Sequence, residues 1–365
     1  MKASLASGVL EAGDLTSGEH LGAGGGGTVS KYSYLGLATE LAGKHGFSAD
    51  DEELRRESLL MASLPQHENL LNGMGTVETS TGPMALMEVA DCGNVNEIIE
   101  VMQKDDEMKQ EDKDLVMQYV MRSSLRGMEA LHQAGIVHGD IKGHNIFIDA
   151  EVRPMLADFG TSDFDSITQG QGTADYNAPE VINGVGADGV TQAADVWALG
   201  EMMVKGMTGG MNSLEHLENQ AIHEHIEYKK AASLINPEDY EPGQIDPRTR
   251  KLAGSDKQKD LDEAVTDALT YREGYLPRRA GLKDSDDIED RTGPMVHFLE
   301  GFFRIDPSER ITASQALQHP WMQMEEAQVD RAKELIGGMV AQVKAAKAAK
   351  TAAGAARLAA RGGPV

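Results

Sequence analysis

The sequence contains little cysteine, few basic residues and no long apolar run. Its one cysteine among 365 residues excludes an intramolecular disulfide and predicts a reducing compartment. No run approaches the roughly 20 apolar residues of a membrane-spanning helix. Residues 1–18 also lack the apolar segment of a secretory signal. These absences predict a soluble, cytoplasmic protein with no stable membrane insertion.

Basic residues are outnumbered by acidic ones. The chain carries 34 Lys and Arg residues against 59 Asp and Glu residues, a formal net charge of −25 at pH 7. This excess argues against nucleic-acid binding and favours basic substrates. Apolar residues are plentiful: they form 40% of the chain, which allows a substantial core in one domain with additional segments.

Three short motifs follow one another in the middle of the chain. Residues 138–145 are His-Gly-Asp-Ile-Lys-Gly-His-Asn, residues 158–160 are Asp-Phe-Gly, and residues 172–180 are Gly-Thr-Ala-Asp-Tyr-Asn-Ala-Pro-Glu. An Asp followed five residues later by an Asn can present a carboxylate to a substrate hydroxyl and an amide oxygen to magnesium. Each motif alone is a weak signal. In this order and at these separations, they resemble the catalytic core of the protein kinases.

The resemblance implies a fold and a chemistry. The fold class is α+β with two lobes, a small, mainly β N-lobe and a larger, mainly α C-lobe. ATP and Mg²⁺ are the implied cofactors. Asp140 would orient and deprotonate the substrate hydroxyl, and Lys142 would offset charge on the γ-phosphoryl group. Thr173 would bond to both side chains, while Asn145 and Asp158 would hold magnesium.

The catalytic loop also resembles one branch of the family. Residues 135–145 are most similar to MAP-kinase-kinase kinases, and Lys142 and Thr173 are features of serine/threonine kinases rather than tyrosine kinases. The resemblance therefore implies transfer of the γ-phosphoryl group of ATP to Ser or Thr hydroxyls of a protein substrate. An acidic kinase rich in alanine and glycine is also compatible with a bacterial protein delivered into a host cell.

A glycine-rich segment precedes these motifs. Residues 21–29 fit G-x-G-x-x-G-x-V, with Gly22, Gly24, Gly27 and Val29 in the motif positions. Glycines let the backbone approach phosphates without an intervening Cβ. A flexible linker has a similar composition, but the downstream motifs favour a nucleotide loop, in which Val29 would cover the adenine.

Two charged residues follow at family positions. Lys44 lies where the family has the lysine that binds the α- and β-phosphates, although a lone lysine after apolar residues is also typical of an edge strand. Residues 55–64 have apolar positions at helical spacing, and Glu57 lies where the family pairs a helix glutamate with that lysine. A solvated charge is the alternative. We predict the pair, because both residues are in register with the glycine loop.

Residues 83–90 indicate a buried strand that continues into a polar turn, which the resemblance makes the hinge between the lobes. Met87 would be the gatekeeper of the nucleotide pocket. The Glu88 carbonyl and the Ala90 amide would bond to the adenine edge, and Asn94 would lie near the ribose. Two residues outside the pocket are expected to be structural: Asp195 as a cap of backbone amides, and Arg310 as the partner of Glu180.

The motifs also suggest domain boundaries. After an N-terminal tail we expect one kinase domain and then an Ala- and Lys-rich tail that is frayed and solvated. The domain contains an acidic insert, which is either a solvated excursion or a docking segment for a signalling partner. The boundaries are 1–18 for the N-terminal tail, 19–322 for the domain, 19–88 for the N-lobe, 91–322 for the C-lobe, about 213–290 for the insert and 323–365 for the C-terminal tail.

Gly139 departs from the family pattern, which commonly has Arg before the catalytic Asp. His-Gly-Asp also begins the catalytic loop of aminoglycoside- and choline-type small-molecule kinases, although those enzymes lack the segment at 172–180. A pseudokinase scaffold is a further alternative, disfavoured because the residues expected for catalysis are all present. Since glycine has no charge to neutralise, we also expect activity without phosphorylation of the activation loop.

Overall fold

The structure is a computed structural model. It describes residues 12–24, 27–34, 40–48, 51–164, 166–167, 172–182, 189–208, 295, 297–304 and 306–361. The predicted insert at about 213–290 lies outside the described residues, as do residues 1–11 of the predicted N-terminal tail.

The N-lobe is an antiparallel five-stranded sheet with a helix packed against it. The strands lie in the spatial order β1-β2-β3-β5-β4. Their bounds are Leu15–Gly24, Gly27–Tyr34, Leu41–His45, Gly73–Thr79 and Gly82–Met87 for β1 to β5. Helix α1 (Glu52–Ser63) begins at Asp51, whose carboxylate accepts a hydrogen bond from the Leu54 amide at 2.9 Å. It packs on β4 and β5 and so presents one face to the cleft.

The C-lobe is mainly helical. The helices within its described residues are α2 Val95–Lys104, α3 Gln110–Gln133, α4 Pro179–Ile182, α5 Gln192–Thr208, α6 Ala313–Gln318 and α7 Glu326–Arg361. Short strand pairs support the loops between them: β6 (Ile136–Val137) with β9 (Asp163–Phe164), and β7 (Ile146–Ile148) with β8 (Pro154–Leu156). Large side chains fill the core around α3 and α5, with Trp197, Phe298, Phe302 and Phe303 fully buried. The predicted two-lobed α+β fold is confirmed.

The N-terminal boundary differs from the prediction. Strand β1 begins at Leu15, inside the predicted tail of residues 1–18, and Leu15 and Thr16 pair with Tyr34 and Ser33 of β2. Residues 16–20 are exposed, so the first half of β1 is held by its backbone rather than by an apolar face. A strand of this kind has no alternating hydrophobic pattern to reveal it.

The C-terminal segment also differs from the prediction. Helix α7 packs on α2 and α3, and its buried side chains are Ala332, Ile336, Met339, Val340 and Val343. These residues lie on one helical face, so the segment up to Val343 is not a frayed, solvated tail. The described side chains from 344 to 353 are exposed. None of the helices in the described ranges has the length and apolar content needed to cross a bilayer.

Candidate active site

Asp195 anchors the catalytic loop from the first turn of α5. Its Oδ2 accepts the His138 amide and its Oδ1 accepts the Gly139 amide, both at 2.8 Å. The His132 Nε2 lies 3.0 Å from the same Oδ2. Burial alone would raise the pKa of Asp195, but the hydrogen bonds and charge around it hold that pKa below its ordinary value. Asp195 therefore has the structural role that the sequence predicted.

Asp140 lies at the centre of a hydrogen-bond network. The Lys142 Nζ donates to Asp140 Oδ2 at 2.7 Å, and the Thr173 Oγ1 donates to Asp140 Oδ1 at 2.8 Å. Lys142 Nζ also lies 2.8 Å from Thr173 Oγ1. Burial raises the pKa of Asp140, but Lys142 and Thr173 outweigh it and hold the pKa below its ordinary value. The carboxylate is therefore ionised at neutral pH and can accept a hydroxyl hydrogen bond.

Asn145 and Asp158 are the predicted magnesium ligands. The Asn145 Nδ2 donates to the Asp140 carbonyl and to Asp140 Oδ2, both at 2.9 Å, so its Oδ1 is left as an acceptor. Asp158 has φ 63°, in the left-handed region, and half of its side chain is exposed. The next residue, Phe159, is buried with its ring 5.1 Å from the His138 ring. Burial of Phe159 thus fixes a turn that presents Asp158 to the cleft.

Lys44 and Glu57 form the predicted ion pair. The Lys44 Nζ lies 2.8 Å from Glu57 Oε1 and 2.7 Å from Oε2, and it lies 3.5 Å from Asp158 Oδ1. Burial lowers the pKa of Lys44, but the charges of Glu57 and Asp158 outweigh it, so that pKa is raised. A charged ammonium is therefore held between α1 and the segment that begins at Asp158.

The glycine loop joins β1 and β2, with residues 25–26 outside the described ranges. Gly24 pairs with Gly27, and Gly22 pairs with Val29. Gly27 has φ 134°, and an added Cβ would lie 2.0 Å from the His45 carbonyl oxygen, so this position requires glycine. Val29 lies opposite the lysine of β3 in the sheet. The four predicted residues, Gly22, Gly24, Gly27 and Val29, thus lie on β1 and β2, the strands that cover the cleft.

The hinge follows β5. Met87 is buried at the end of that strand, and the Glu88 amide donates to the Asn72 carbonyl at 3.1 Å. The Glu88 side chain accepts a hydrogen bond from Asn72 Nδ2 at 3.2 Å. Within the described part of the chain, neither the Glu88 carbonyl nor the Ala90 amide forms a hydrogen bond. Both backbone groups are therefore available to a ligand, and their contact with an adenine edge stays a prediction.

Asn94 has a role that the sequence did not reveal. Its Oδ1 accepts the Glu97 amide at 3.0 Å, and Glu97 Oε2 accepts the Asn94 amide at 3.1 Å, which makes a capping box at the start of α2. The carboxamide oxygen is thus already used by the helix. The predicted contact of Asn94 with a ribose stays a prediction.

The activation segment is held from both ends. At its start, Thr161 and Ser162 both donate to the His138 carbonyl, at 3.1 and 2.9 Å. At its end, Glu180 pairs with the fully buried guanidinium of Arg310 at 2.6 and 2.9 Å, which confirms the predicted ion pair. Two of the hydroxyls in this segment are therefore used for structure.

Two charged contacts of the cleft were not predicted. The Lys31 Nζ lies 2.5 Å from Asp91 Oδ2, and the Arg56 guanidinium lies 2.5 Å from Asp163 Oδ2. Each pair joins residues far apart in the chain, so local sequence carries no signal for it. Only the alternation of side chains along a strand indicates where Lys31 lies: it follows Val29 by two residues and is therefore on the same face of β2.

The donor set is compatible with a nucleotide and magnesium. No group of three or more His, Cys, Asp or Glu side chains suited to a metal occurs in the described ranges. A magnesium ion would thus depend on Asp158, Asn145, water and phosphate oxygens. Magnesium commonly takes one or two protein carboxylates together with substrate phosphates. The charged Lys44 beside Asp158 suits the phosphates themselves.

Comparison with known proteins agrees with this geometry. The family model described as "Protein kinase domain" matches residues 15–322. Mitogen-activated protein kinase kinase kinase 3 of Arabidopsis thaliana is 34% identical over 274 residues, covering 74% of this chain and 38% of the relative. Mitogen-activated protein kinase kinase kinase 1 of the same plant is 33% identical over 161 residues, covering 43% of this chain and 25% of the relative.

A more distant match is mitogen-activated protein kinase 4a of Physcomitrium patens, 25% identical over 209 residues, with 56% of this chain and 49% of the relative covered. The chain thus spans about a quarter to a half of the length of these relatives. The family model covers most of the chain, including every motif described above. The chain belongs to the protein kinase family.

Proposed function

We propose that this protein is a serine/threonine protein kinase that uses ATP and Mg²⁺. The observation that carries the proposal is the contact among Asp140, Lys142 and Thr173, at 2.7 to 2.8 Å, beside Asn145, whose Oδ1 has no hydrogen-bond partner among the described residues. A base, a cation and a metal ligand thus converge on one point of the cleft. This is the arrangement that phosphoryl transfer to a hydroxyl requires.

Each residue has a defined task in this proposal. Asp140 accepts the hydrogen bond of a Ser or Thr hydroxyl and takes its proton as that oxygen bonds to the γ-phosphorus of ATP and the bond from the γ-phosphorus to the bridging oxygen of ADP breaks, so that ADP leaves. Lys142 offsets negative charge on the transferring group, and Lys44 holds the phosphates in line. ATP, when bound, would supply the phosphoryl group, and Asn145 and Asp158 would hold a Mg²⁺ ion that offsets the charge of that group. Positioning and electrostatic stabilisation account for most of the acceleration.

A protein substrate is favoured over a small molecule. Residues 172–180 follow the catalytic loop, and Glu180 within them is tied to Arg310 by a buried ion pair. A segment anchored at Glu180 and bonded to Asp140 through Thr173 provides a surface on which a peptide can lie. The relatives named as MAP kinase kinase kinases support a signalling role. Partner docking at residues 213–290 stays a prediction.

The direct test is transfer of labelled phosphate by the purified full-length chain. With Mg²⁺ and labelled ATP, we expect label in a generic protein substrate and none in an aminoglycoside. Asp140→Asn should remove transfer and retain nucleotide binding, and Asp158→Ala should remove transfer without unfolding. Asp106→Asn, an exposed acid between α2 and α3, is the matched control and should keep full activity.

Two results would contradict the proposal. Near-normal turnover by Asp140→Asn would mean that another group accepts the proton. ATP binding without transfer to any hydroxyl, in wild type as in the variants, would instead identify a scaffold that retains the fold and has lost the reaction.

A further inference from the structure

An ion pair joins the two lobes at the hinge end of the cleft. Lys31 belongs to β2 of the N-lobe, and Asp91 lies just beyond the hinge, on the side of the C-lobe. The Lys31 Nζ lies 2.5 Å from Asp91 Oδ2, and the lysine side chain is only 13% exposed. Since Lys31 shares the cleft-facing side of β2 with Val29, the contact closes the cleft beside the predicted adenine position.

Three acidic side chains surround the Lys31 ammonium group. Besides Asp91, Glu40 Oε2 lies 3.6 Å away and Glu19 Oε2 lies 3.9 Å away. Both glutamates belong to the N-lobe, so Lys31 keeps negative partners there when the cleft opens. The contact with Asp91 is therefore weakly held unless Asp91 itself is fixed in place.

Helix α7 is the element that fixes Asp91. The Val343 side chain packs over Gly93, where a Cβ would lie 3.3 Å from Val343 Cγ1. The next residue, Lys344, places its Nζ 3.7 Å from Asp91 Oδ1, the carboxylate oxygen that Lys31 does not use. Lys347 Nζ donates to Glu97 Oε2 at 2.8 Å, the same atom that caps the Asn94 amide. Helix α7 thus contacts the post-hinge segment at three points.

We propose that α7 is a positioning element for nucleotide binding. Through Lys344 and Lys347 it holds residues 91–97 in place. Asp91 can then accept the hydrogen bond of Lys31, and this contact holds the N-lobe over the bound nucleotide. The inference rests on the proposed function, since it assigns a nucleotide to the cleft. Residues 323–365 lie beyond the match to the kinase model, which ends at 322, so this contact belongs to the chain outside the matched domain.

The test compares nucleotide affinity with turnover. For Asp91→Asn we expect the Kd of Mg·ADP and the KM for ATP to rise about fivefold, roughly 1 kcal/mol, with kcat changed less than about twofold. Lys31→Met should give a similar shift, and the double variant should be little worse than either single one. The Lys344→Ala, Lys347→Ala pair should raise both constants about threefold, the size expected of partly exposed ion pairs.

The controls separate positioning from general stability. Lys344→Arg keeps the charge and should retain wild-type affinity. Lys350→Ala removes an exposed lysine on the next turn of the same helix and should also have no effect. Unchanged Kd and KM in the Lys344→Ala, Lys347→Ala variant would overturn the proposal. A decrease in kcat together with a lower melting temperature in that variant would also overturn the proposal, because the two decreases would indicate that the helix has a purely structural role.

A second readout needs no nucleotide. Spin labels on β1 and α2 should report a broader distribution of distances between the lobes in Asp91→Asn than in wild type. If wild type binds no Mg·ADP, the proposed function fails while this broadening still supports the bridge. If wild type binds nucleotide and neither the distances nor the affinity change, the bridge is wrong and the kinase proposal stands.

Discussion

Gly139 of the catalytic loop is in contact with Ile167 of the activation segment, and changing both residues tests how that segment is held. Gly139 has φ 80°, and a Cβ added to it would lie 2.2 Å from Ile167 Cδ1. Ile167 is buried, and its backbone exchanges hydrogen bonds with Val190 at 3.1 and 3.0 Å. An apolar side chain thus occupies the space next to Gly139.

The sizes of the effects can be worked out from this contact. Gly139→Ala should cost about 1.5 kcal/mol for the left-handed backbone and about 1.5 kcal/mol for overpacking against Ile167. Ile167→Val removes only Cδ1, the clashing atom, and should cost about 1 kcal/mol by itself. In the double variant the overpacking disappears and the new Cβ fills the gap. We therefore expect a cost of about 2 kcal/mol rather than the additive value of about 4 kcal/mol.

The assay is urea unfolding of the wild type, both single variants and the double variant, with initial rates of phosphate transfer measured alongside. Gly75→Ala is the matched control, because Gly75 has φ 110° but no atom within 4 Å of an added Cβ. It should carry backbone strain alone and combine additively with Ile167→Val. Additive costs for the Gly139 and Ile167 pair, to within about 0.5 kcal/mol, would refute the packing argument.

The other predictions are simpler. Phosphatase treatment of the purified enzyme, or Ser166→Ala, should lower the initial rate less than about tenfold, or 1.4 kcal/mol of barrier; a larger loss, checked by mass spectrometry, would identify a phosphoswitch. Ile336→Ala should destabilise the fold by about 3 kcal/mol in urea unfolding, whereas a solvated tail would give no change. Arg310→Met should cost about 3 kcal/mol because it leaves the Glu180 carboxylate unpaired, and adding Glu180→Gln should recover part of that loss. Because the pKa of Asp140 is lowered, its ionised form persists until the pH falls below the ordinary Asp range of about 4, so a decline in rate between pH 8 and 6 would have to come from another group.

The residues of the catalytic loop could be predicted from the sequence because their chemistry is local. Asp140, Lys142 and Asn145 lie within six positions, and the backbone between them leaves few ways to arrange their side chains. The Thr173 Oγ1 contacts with Asp140 Oδ1 and Lys142 Nζ, both at 2.8 Å, agree with what the family resemblance implied. The bonds of Lys142 and Asn145 to Asp140 were not predicted. The Lys44 and Glu57 pair was also predictable, because each residue lies at a set distance from a motif.

Contacts between distant segments could be predicted only where the family supplies a template. The Glu180 and Arg310 pair was found this way although 130 positions separate its members. The Lys31 contact with Asp91 has no such template, and the sequence alone shows only a basic residue on a strand. Likewise, the capping role of Asn94 depends on where α2 begins, which the spacing of apolar residues places only to within a few positions.

Helix α7 shows most clearly that the pattern of residues in a sequence does not by itself reveal how a segment packs. Its alanines and lysines are compatible with a solvated helix, and the five residues that the fold buries do not stand out from the other apolar residues of the helix in the sequence. Tertiary structure places those residues against α2 and α3 and brings two lysines to Asp91 and Glu97. The sequence was sufficient for the motifs, since neighbouring residues share one local geometry. The burial of α7 and the ion pairs that join distant segments could be found only from the tertiary structure, because they depend on which surfaces meet, and the distance between residues along the sequence does not reveal that.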